Sequence, residues 1–589
     1  MVGPIYDCVE NPLGAVRLTF EKALSRNEDA LDDKDWGAIE VFRHFLFDQS
    51  VLAQVPIMHG MNVCRIPPKT LVRFRGMIQD MLGKEFYVGA YKDGEVWRTS
   101  KYSDATQYME ENSFDQRVWE RRLLYCVPIP GISEWANLSS EESVERYLDS
   151  MSQKRDKRNR TDVGTNYTLE VSANEEDLPG AKKMRAEGSN HSVLSNWISS
   201  KPEIASTSTA VFSDASVNQF SCLVKIYDTP DHDLKLDEVY EFIGVLDFGS
   251  GILPSNDCTI EHENMEINAP LNEVPRLHCI LQRKLAMKDL LTASPYAELQ
   301  PNLNSIREIR DGLLKHLTCV LGNDGLTAHF LLLHLLSSVH ARVDNIGVGK
   351  LALNITGLNR ECASVFGNQL DATIKSLLPI TECVPLTIKY LNDKSLAPRK
   401  DYDADRMIPG SLSLVRGSHL MFDETTLEAG TLNSVGIENA QLLKNITENQ
   451  KVDYDFVYYK LAMPVDVQVL ILSEGRSNIL PADVEVPFHP SGAAGGASQA
   501  PTEESLAAWR WYLATMRSMP HAISPDVQKA VEDDLVAARR ADQRLNVEDF
   551  SRWLTMGRLI CASFGETTLS MEHWHLVKET HRLRCQRLP

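Results

Sequence analysis

Between residues 11 and 62 apolar positions recur at helical spacing. The period predicts two amphipathic helices, Leu13–Leu24 and Trp36–Leu46, the second carrying Trp36, Ile39, Val41, Phe42, Phe45 and Leu46. The period then changes to two. Thr70–Met81 and Glu85–Tyr91 alternate apolar with polar residues around Gly83, and Leu123–Ile129 adds another short run, so a β domain begins here. Strand patterns return at Ser221–Tyr227, Glu238–Leu246 and Arg276–Leu285. Beyond residue 300 the pattern is helical. Ser305 with Glu308 reads as a capping box ahead of Ile306, Ile309, Leu313, Leu314, Leu317 and Val320, and Leu326–Val339 is apolar nearly all round, as a buried helix is. Strand and helix then alternate: Lys350–Thr356, Leu386–Leu391, His419–Phe422 and Val465–Leu472 read as strands, with Glu361–Leu378 as a helix. Four helices close the chain: Leu506–Met519, Ser524–Ala541 with Pro525 at its first position, Asn546–Phe564 and Ser570–Arg584.

These elements divide the chain into an α+β, multidomain arrangement. Residues 1–69 form an N-terminal helical segment, and 70–138 with 221–300 form the two halves of an OB-like β-barrel. Between them, residues 139–220 are rich in Ser, Thr, Asn and charge with few large apolar side chains, too few to offset the entropy of ordering, so this insertion is read as a disordered linker. Alternation over 301–490 predicts an α/β domain with a mostly parallel sheet. Residues 491–505, Ala- and Gly-rich, form a flexible connector, and 506–589 a helical bundle or lid. At 589 residues, length alone suggests about four domains at ~150 residues each. The pattern supports two folded halves and an insertion.

Charge narrows the function classes. The formal net charge of −20 argues against broad coating of nucleic acid. The most apolar run, Phe330–Val343, is broken by His334, Ser337, Ser338 and His340 and falls short of the ~20 residues a bilayer requires. Asp7 and Glu10 stand where a secretory leader would be basic and then apolar, so secretion is not expected. The 11 cysteines show neither a C-x-x-C pair nor zinc-ligand spacing, and read as reduced, mostly buried thiols with no metal.

Nucleotide chemistry finds fragments without a site. Gly347-Val348-Gly349-Lys350 resembles the end of a phosphate loop, but Leu351 replaces the hydroxyl residue and the lysine leads into a strand rather than a helix. After Thr356, where such a loop belongs, Gly357-Leu358-Asn359-Arg360-Glu361 lacks Gly-Lys-Ser/Thr. His419–Glu424 looks like a Walker B strand ending in Asp423 and Glu424; without the lysine and hydroxyl it is expected to be an inactive remnant that caps the next segment. No cofactor is implied. His329, His334 and His340 read as core histidines, and His573 and His575 find no third ligand. The cations at His581–Arg584 and Arg587 suit a helix C-terminus. Two basic runs in the linker are candidate nuclear-import signals: Lys154, Arg155, Lys157, Arg158 and Arg160, and Lys182, Lys183 and Arg185. Solvation of the linker is the competing reading.

Several strings together resemble the mini-chromosome maintenance (MCM) complex-binding protein family. They are Asn11–Gly14, Val72–Met81 (VRFRGMIQDM) with Glu85–Tyr91, Tyr125–Gly131 (YCVPIPG), Cys222–Tyr227 and Lys400–Asp405 (KDYDAD). Later come Asp423-Glu424-Thr425 with Leu427, Glu428 and Gly430, then Gln450–Phe456 (QKVDYDF), Ser473–Asp483 (SEGRSNILPAD) and Ala530–Leu535 (AVEDDL). The resemblance covers nearly the whole chain; the linker and the Ala/Gly stretch lie outside it. It implies a nuclear, non-catalytic DNA-replication factor, distantly related to the helicase subunits, with an OB-like part and a degenerate AAA+-like part. Its partners would be MCM subunits, bound in place of one subunit, and its role the assembly of the complex or its removal from chromatin in late S phase, with an effect on sister-chromatid cohesion. Direct nucleic-acid binding is not expected. Two other classes remain open at this point: a weak ATPase, and a single-stranded DNA-binding OB module using Phe74, Phe86, Tyr87 and Tyr91.

Overall fold

The alternating run after Thr70 forms one strand rather than two, β1 (Leu71–Asp93). Gly83 at φ 90° and register shifts near Ile78, Met81 and Val88 let it coil without losing its partner, so the glycine that looks like a break in sequence is a bend. Four further strands complete a closed barrel: β2 (Gln116–Val127), β3 (Cys222–Ile226), β4 (Val239–Asp247) and β5 (Arg276–Lys284). Their order is β1–β2–β3–β5–β4, and β4 pairs back to β1, which leaves this ring without an open edge. β3 and β5 run parallel; the other pairs are antiparallel. The structure is a computed structural model that describes residues 8–26, 35–48, 51–60, 63–104, 116–137, 220–227, 234–248, 274–291, 303–344, 346–477, 479–491, 501–541 and 545–588. Nearly all of the 139–220 linker, both basic runs included, lies outside them.

A second sheet is all parallel, in the order Thr381–Pro385 (β7), His419–Asp423 (β10), Gln468–Leu472 (β13), Leu353–Thr356 (β6), Val484–Pro487 (β14). Strand alternation separates two cores. After the N-terminal helices Pro12–Leu24 (α1) and Ala38–Arg43 (α2) come those of the first core. Leu353, Ile355, Met421, Leu470 and Leu472 share it with the helices Leu303–Val320 (α3), Gly325–Leu336 (α4), Asn368–Leu377 (α5), Glu503–Met516 (α8), Pro525–Ala541 (α9), Val547–Ser563 (α10) and Met571–Arg587 (α11). Leu420, Phe422, Val469 and Ile471 face Ile388–Asp393 (α6) and Ser434–Asn449 (α7). The C-terminal helices therefore share a core with the sheet. A small antiparallel-rich sheet, Arg406–Ile408 (β9), Arg399–Asp401 (β8), Lys451–Asp455 (β11) and Lys460–Pro464 (β12), stands beside it. The architecture is mixed α and β in several parts.

Four local expectations need correction. Leu386–Leu391 is not a strand: β7 ends at Pro385, which an edge strand tolerates, and Thr387 caps α6 by accepting from Tyr390 N at 3.0 Å. Ser305 lies inside the first turn of α3, which starts at Leu303, so it is no N-cap. His340 is exposed and lies beyond α4, which stops at Leu336 because Ser337 turns to extended backbone. α8 begins at Glu503, within the stretch read as a connector, because Thr502 caps it.

The barrel docks on the edge of the parallel sheet. The chain leaving β2 adds a short extended segment to β7: Thr381 N donates to Gly131 O at 2.9 Å and Ser133 N to Pro379 O at 2.7 Å. Met77, Ile129, Val239 and Leu285 from the barrel side form one apolar cluster with Ile380 and Val415. Buried Asp80 accepts from Met407 N at 2.6 Å and Gln79 Nε2 donates to Met407 O at 2.9 Å, joining the bend of β1 to β9. Replacing Asp80 by Ala strands the Met407 N–H and is expected to cost about 1–3 kcal/mol in urea unfolding, with Asp80→Asn losing less.

Inside the sheet, His334 and His419 are both fully buried, Nε2 to Nε2 at 3.1 Å. His334 Nδ1 must donate to the Leu351 carbonyl at 2.7 Å, so its Nε2 accepts from His419. Burial pushes His334 down to about 4 and His419 well below its ordinary 6.5. Between pH 6.5 and about 4 the unfolded chain thus binds more protons than the native one, and stability falls as pH drops through that window. Denaturant unfolding should show stability falling as pH drops below 6.5, by at most about 1.4 kcal/mol per pH unit per histidine, and His419→Gln should flatten the slope.

Candidate functional site

The C-terminal ends of parallel strands are where open α/β sheets hold ligands, and Asp423, Glu424, Thr356–Arg360 and Ser473 meet there. The groups that would grip a phosphate are already engaged. Gly357 N donates to Glu474 O and Leu358 N to Ser473 O, both at 3.1 Å. Asn359 accepts from Cys362 N at 2.8 Å and closes the following turn, and Glu361 places a carboxylate at that N-terminus. Above it Arg360 pairs with Glu428 at 3.1 Å.

Asp423 is committed as well. It accepts from Thr425 N at 3.0 Å and Thr425 Oγ1 at 2.6 Å, capping the 3₁₀ turn Glu424–Thr426. Lys350 lies after the hairpin of Ala341–Val343 and Ile346–Val348 and bonds both Asp483 oxygens at 2.7 and 2.8 Å, remote in role from any phosphate. No catalytic constellation is evident among the described residues.

The barrel holds a second ionic centre. Asp104 accepts from Arg121 Nη2 at 2.6 Å, Lys225 Nζ at 2.8 Å and Arg276 Nη1 at 2.9 Å. His278 and Asp247 approach closely enough that the three could hold a cation. The charge balance opposes one, because three basic side chains already neutralise the carboxylates. Burial works against ionised Asp104, yet His278, Lys225 and Arg121 hold its carboxyl well below the usual range. Burial pushes His278 down to about 3, with Asp104 opposing, and Tyr227 OH sits 2.6 Å from its Nδ1. A comparable centre surrounds Glu241, fully buried, with Arg75 at 3.0 Å and Arg283 at 2.9 Å. Neither was legible in sequence, since Asp104 and Arg276 are 172 residues apart.

The four aromatic candidates for base stacking are not brought together. Phe74 is core, Tyr87 packs edge-on to Trp119 and Tyr227, Tyr91 is half-buried, and Phe86 alone among them is exposed, at 73%. The basic C-terminus is also engaged internally: Arg587 bonds both oxygens of buried Asp324, and Arg584 reaches Glu485 O at 3.2 Å. Cys126, Cys222 and Cys279 are buried inside the barrel, where burial pushes their thiols far up and keeps them neutral. His573 serves its own helix, with Nδ1 3.0 Å from Ser570 Oγ.

Comparison with known proteins supplies what local chemistry does not. The sequence profile of the mini-chromosome maintenance replisome factor family matches residues 42–588. The chain is 49% identical over 597 residues to the mini-chromosome maintenance complex-binding protein of Arabidopsis thaliana, covering all of both chains. It is 32% identical to that of Salmo salar, over 99% of this chain and 97% of the relative, and 30% identical to that of Homo sapiens, over 99% and 98%. With identity running end to end, the chain belongs to the mini-chromosome maintenance complex-binding protein family.

Proposed function

We propose that this protein is a nuclear, non-catalytic DNA-replication factor that binds MCM helicase subunits as a subunit-like mimic. Full-length family membership is the observation that carries the reading. Its role would be to regulate assembly of the complex or its removal from chromatin in late S phase, with a contribution to sister-chromatid cohesion. The closed five-stranded barrel supports an OB-type assignment for 70–138 with 221–300. The five-stranded parallel sheet, with a Walker B-like strand end at Asp423 and Glu424, supports a degenerate AAA+-like assignment for 301–490. On this reading 1–69 is a helical segment, 139–220 a disordered linker, 491–505 a connector and 506–589 the counterpart of a helicase lid.

Mimicry follows from what the strand ends lack. A subunit-shaped surface can pair with neighbours, while Gly357 and Leu358 spend their N–H groups on carbonyls instead of phosphate. A ring containing such a member has one interface without nucleotide. Binding therefore favours open or partial assemblies, provided affinity is higher for those states.

Purified protein mixed with individual MCM subunits is expected to co-elute with at least one of them on gel filtration, with or without nucleotide. Failure to form a stable complex with any subunit overturns the reading. ATP hydrolysis abolished by Glu424→Gln would instead make the protein an ATPase. For localisation, replacing Lys154, Arg155, Lys157, Arg158 and Arg160 by Ala is expected to leave a fluorescent fusion cytoplasmic, and unchanged nuclear accumulation counts against that import signal.

A further inference from the structure

The small sheet ends on β12, which pairs with β11 and with no other strand among the described residues. At the two ends of that ladder Phe456 N donates to Tyr459 O and Val465 N to Gln450 O, both at 2.9 Å. Hydrogen-bonded pairs alternate along an antiparallel ladder, so Leu461 and Met463 direct their main-chain groups to β11, while those of Lys460, Ala462 and Pro464 point away from it. No hydrogen bond among the described residues reaches that outer side, and every residue of β12 except half-buried Met463 is exposed. An open edge of this kind is a template for another strand. Lys460 and Pro464 guard its two ends, as edge strands commonly do, but the middle, 461–463, carries neither charge nor proline.

Residues directly opposite each other share a face of the sheet. The face that Val452 and Tyr454 bury in the core therefore continues onto Met463 and then Leu461, which is 47% exposed, so the apolar face runs out to the edge uncovered. The turn that leads into β12 is held in an uncommon shape. Tyr458 N donates to Phe456 O at 2.7 Å across Val457 at φ 66°, a γ-turn of the rarer hand in a region that β-branched residues seldom enter. Its neighbours fix it: Phe456 stacks on Tyr459 at 4.9 Å, and Tyr402 donates to Phe456 O at 3.0 Å with its ring 5.7 Å from that of Tyr458. Strain of this kind clusters at ligand contacts. Here it presents Val457, Tyr458 and Tyr459 to solvent, Tyr458 at 84% exposure.

At its other end the edge meets a cleft of about 550 Å³, where Met463 and Pro464 share the wall with three carboxylates, Asp237, Glu238 and Asp466, and three cations, Lys235, Arg342 and Arg416. Both signs in equal number suit a polypeptide and disfavour a nucleic-acid strand, which Asp403 and Asp455, next in sequence to Tyr402 and Phe456, would also repel. We propose that an extended segment of a protein partner adds to β12 as a further strand, apolar at alternate positions so as to cover Leu461 and Met463, and anchored at the tip by Tyr458 and Tyr459. In strand addition the main-chain bonds give affinity and the alternate side chains specificity, and exposed tyrosines are frequent anchors at interfaces. The assignment of that strand to an MCM subunit rests on the function proposed above.

The test takes the full-length protein with the MCM subunit that co-elutes with it. Hydrogen exchange of the main-chain amides at 460 and 462 is expected to slow in the complex. Ala462→Pro removes only the outward N–H, which an edge strand tolerates, and Tyr458→Ala trims an exposed side chain. Each is expected to weaken the complex about tenfold while melting at the parent's Tm. Unslowed exchange at 460 and 462, or parental affinity in Tyr458→Ala, overturns the proposal and leaves the complex, and with it the function proposed above, in place. No complex between the parent and any subunit overturns both. A dimer of the parent that Ala462→Pro dissolves, with subunit binding unchanged, also overturns the proposal and makes β12 a contact between copies of this chain.

Discussion

The segment Gly131–Ser133 lies against β7, the edge strand of the parallel sheet, and the rest of the arrangement depends on that contact. An exposed edge presents unpaired N–H and C=O groups, and here the chain that has just left the barrel takes up those of Pro379 and Thr381. The same stretch carries Ile129 into the apolar cluster with Ile380 and Val415, while Ser133 Oγ bonds Leu378 O at 2.7 Å. Hydrogen bonds fix the register and apolar burial supplies the adhesion. Asp80 and Gln79, at the bend of β1, hold the second point of attachment at Met407. Two separated anchors resist rotation where one would act as a hinge.

The ionic groups of the protein are arranged in two ways. Around Asp104 the basic side chains of Arg121, Lys225 and Arg276 face that carboxylate together with Glu85, so the charges come close to balance. Around the fully buried Glu241 three guanidinium groups, those of Arg73, Arg75 and Arg283, stand against one carboxylate, and around Asp466 stand Arg416 and Arg517. Burial strengthens the pairs that are covered, because a pair on the surface is screened by water and salt.

At the C-terminal strand ends the positions used by nucleotide-binding sheets are occupied by internal bonds. Gly357 and Leu358 bond carbonyls, Asp423 caps a turn, and Arg360 pairs with Glu428. The shape of the sheet and the layering of helices on it do not depend on those groups, because packing rests on apolar alternation whereas ligand chemistry rests on a few side chains at fixed distances.

The sequence by itself determined the elements whose apolar period is long and local: α3, the C-terminal helices, β10, β13 and the strands of the barrel. It also carried family membership, since strings such as SEGRSNILPAD and QKVDYDF are specific irrespective of structure. It misled where tertiary context outweighs local preference. Thr387–Leu391 is β-like in composition yet forms a helix once Pro385 ends the strand and Thr387 caps the turn, and Gly83 is a coil in a strand rather than its end. Only the tertiary structure decided the barrel's closure, the capture of the β7 edge and the charge centres. Asp104 with Arg276, and Asp466 with Arg517, come from segments far apart in the chain. No local period or spacing encodes such meetings, which arise from how strands and helices with independent local signals pack.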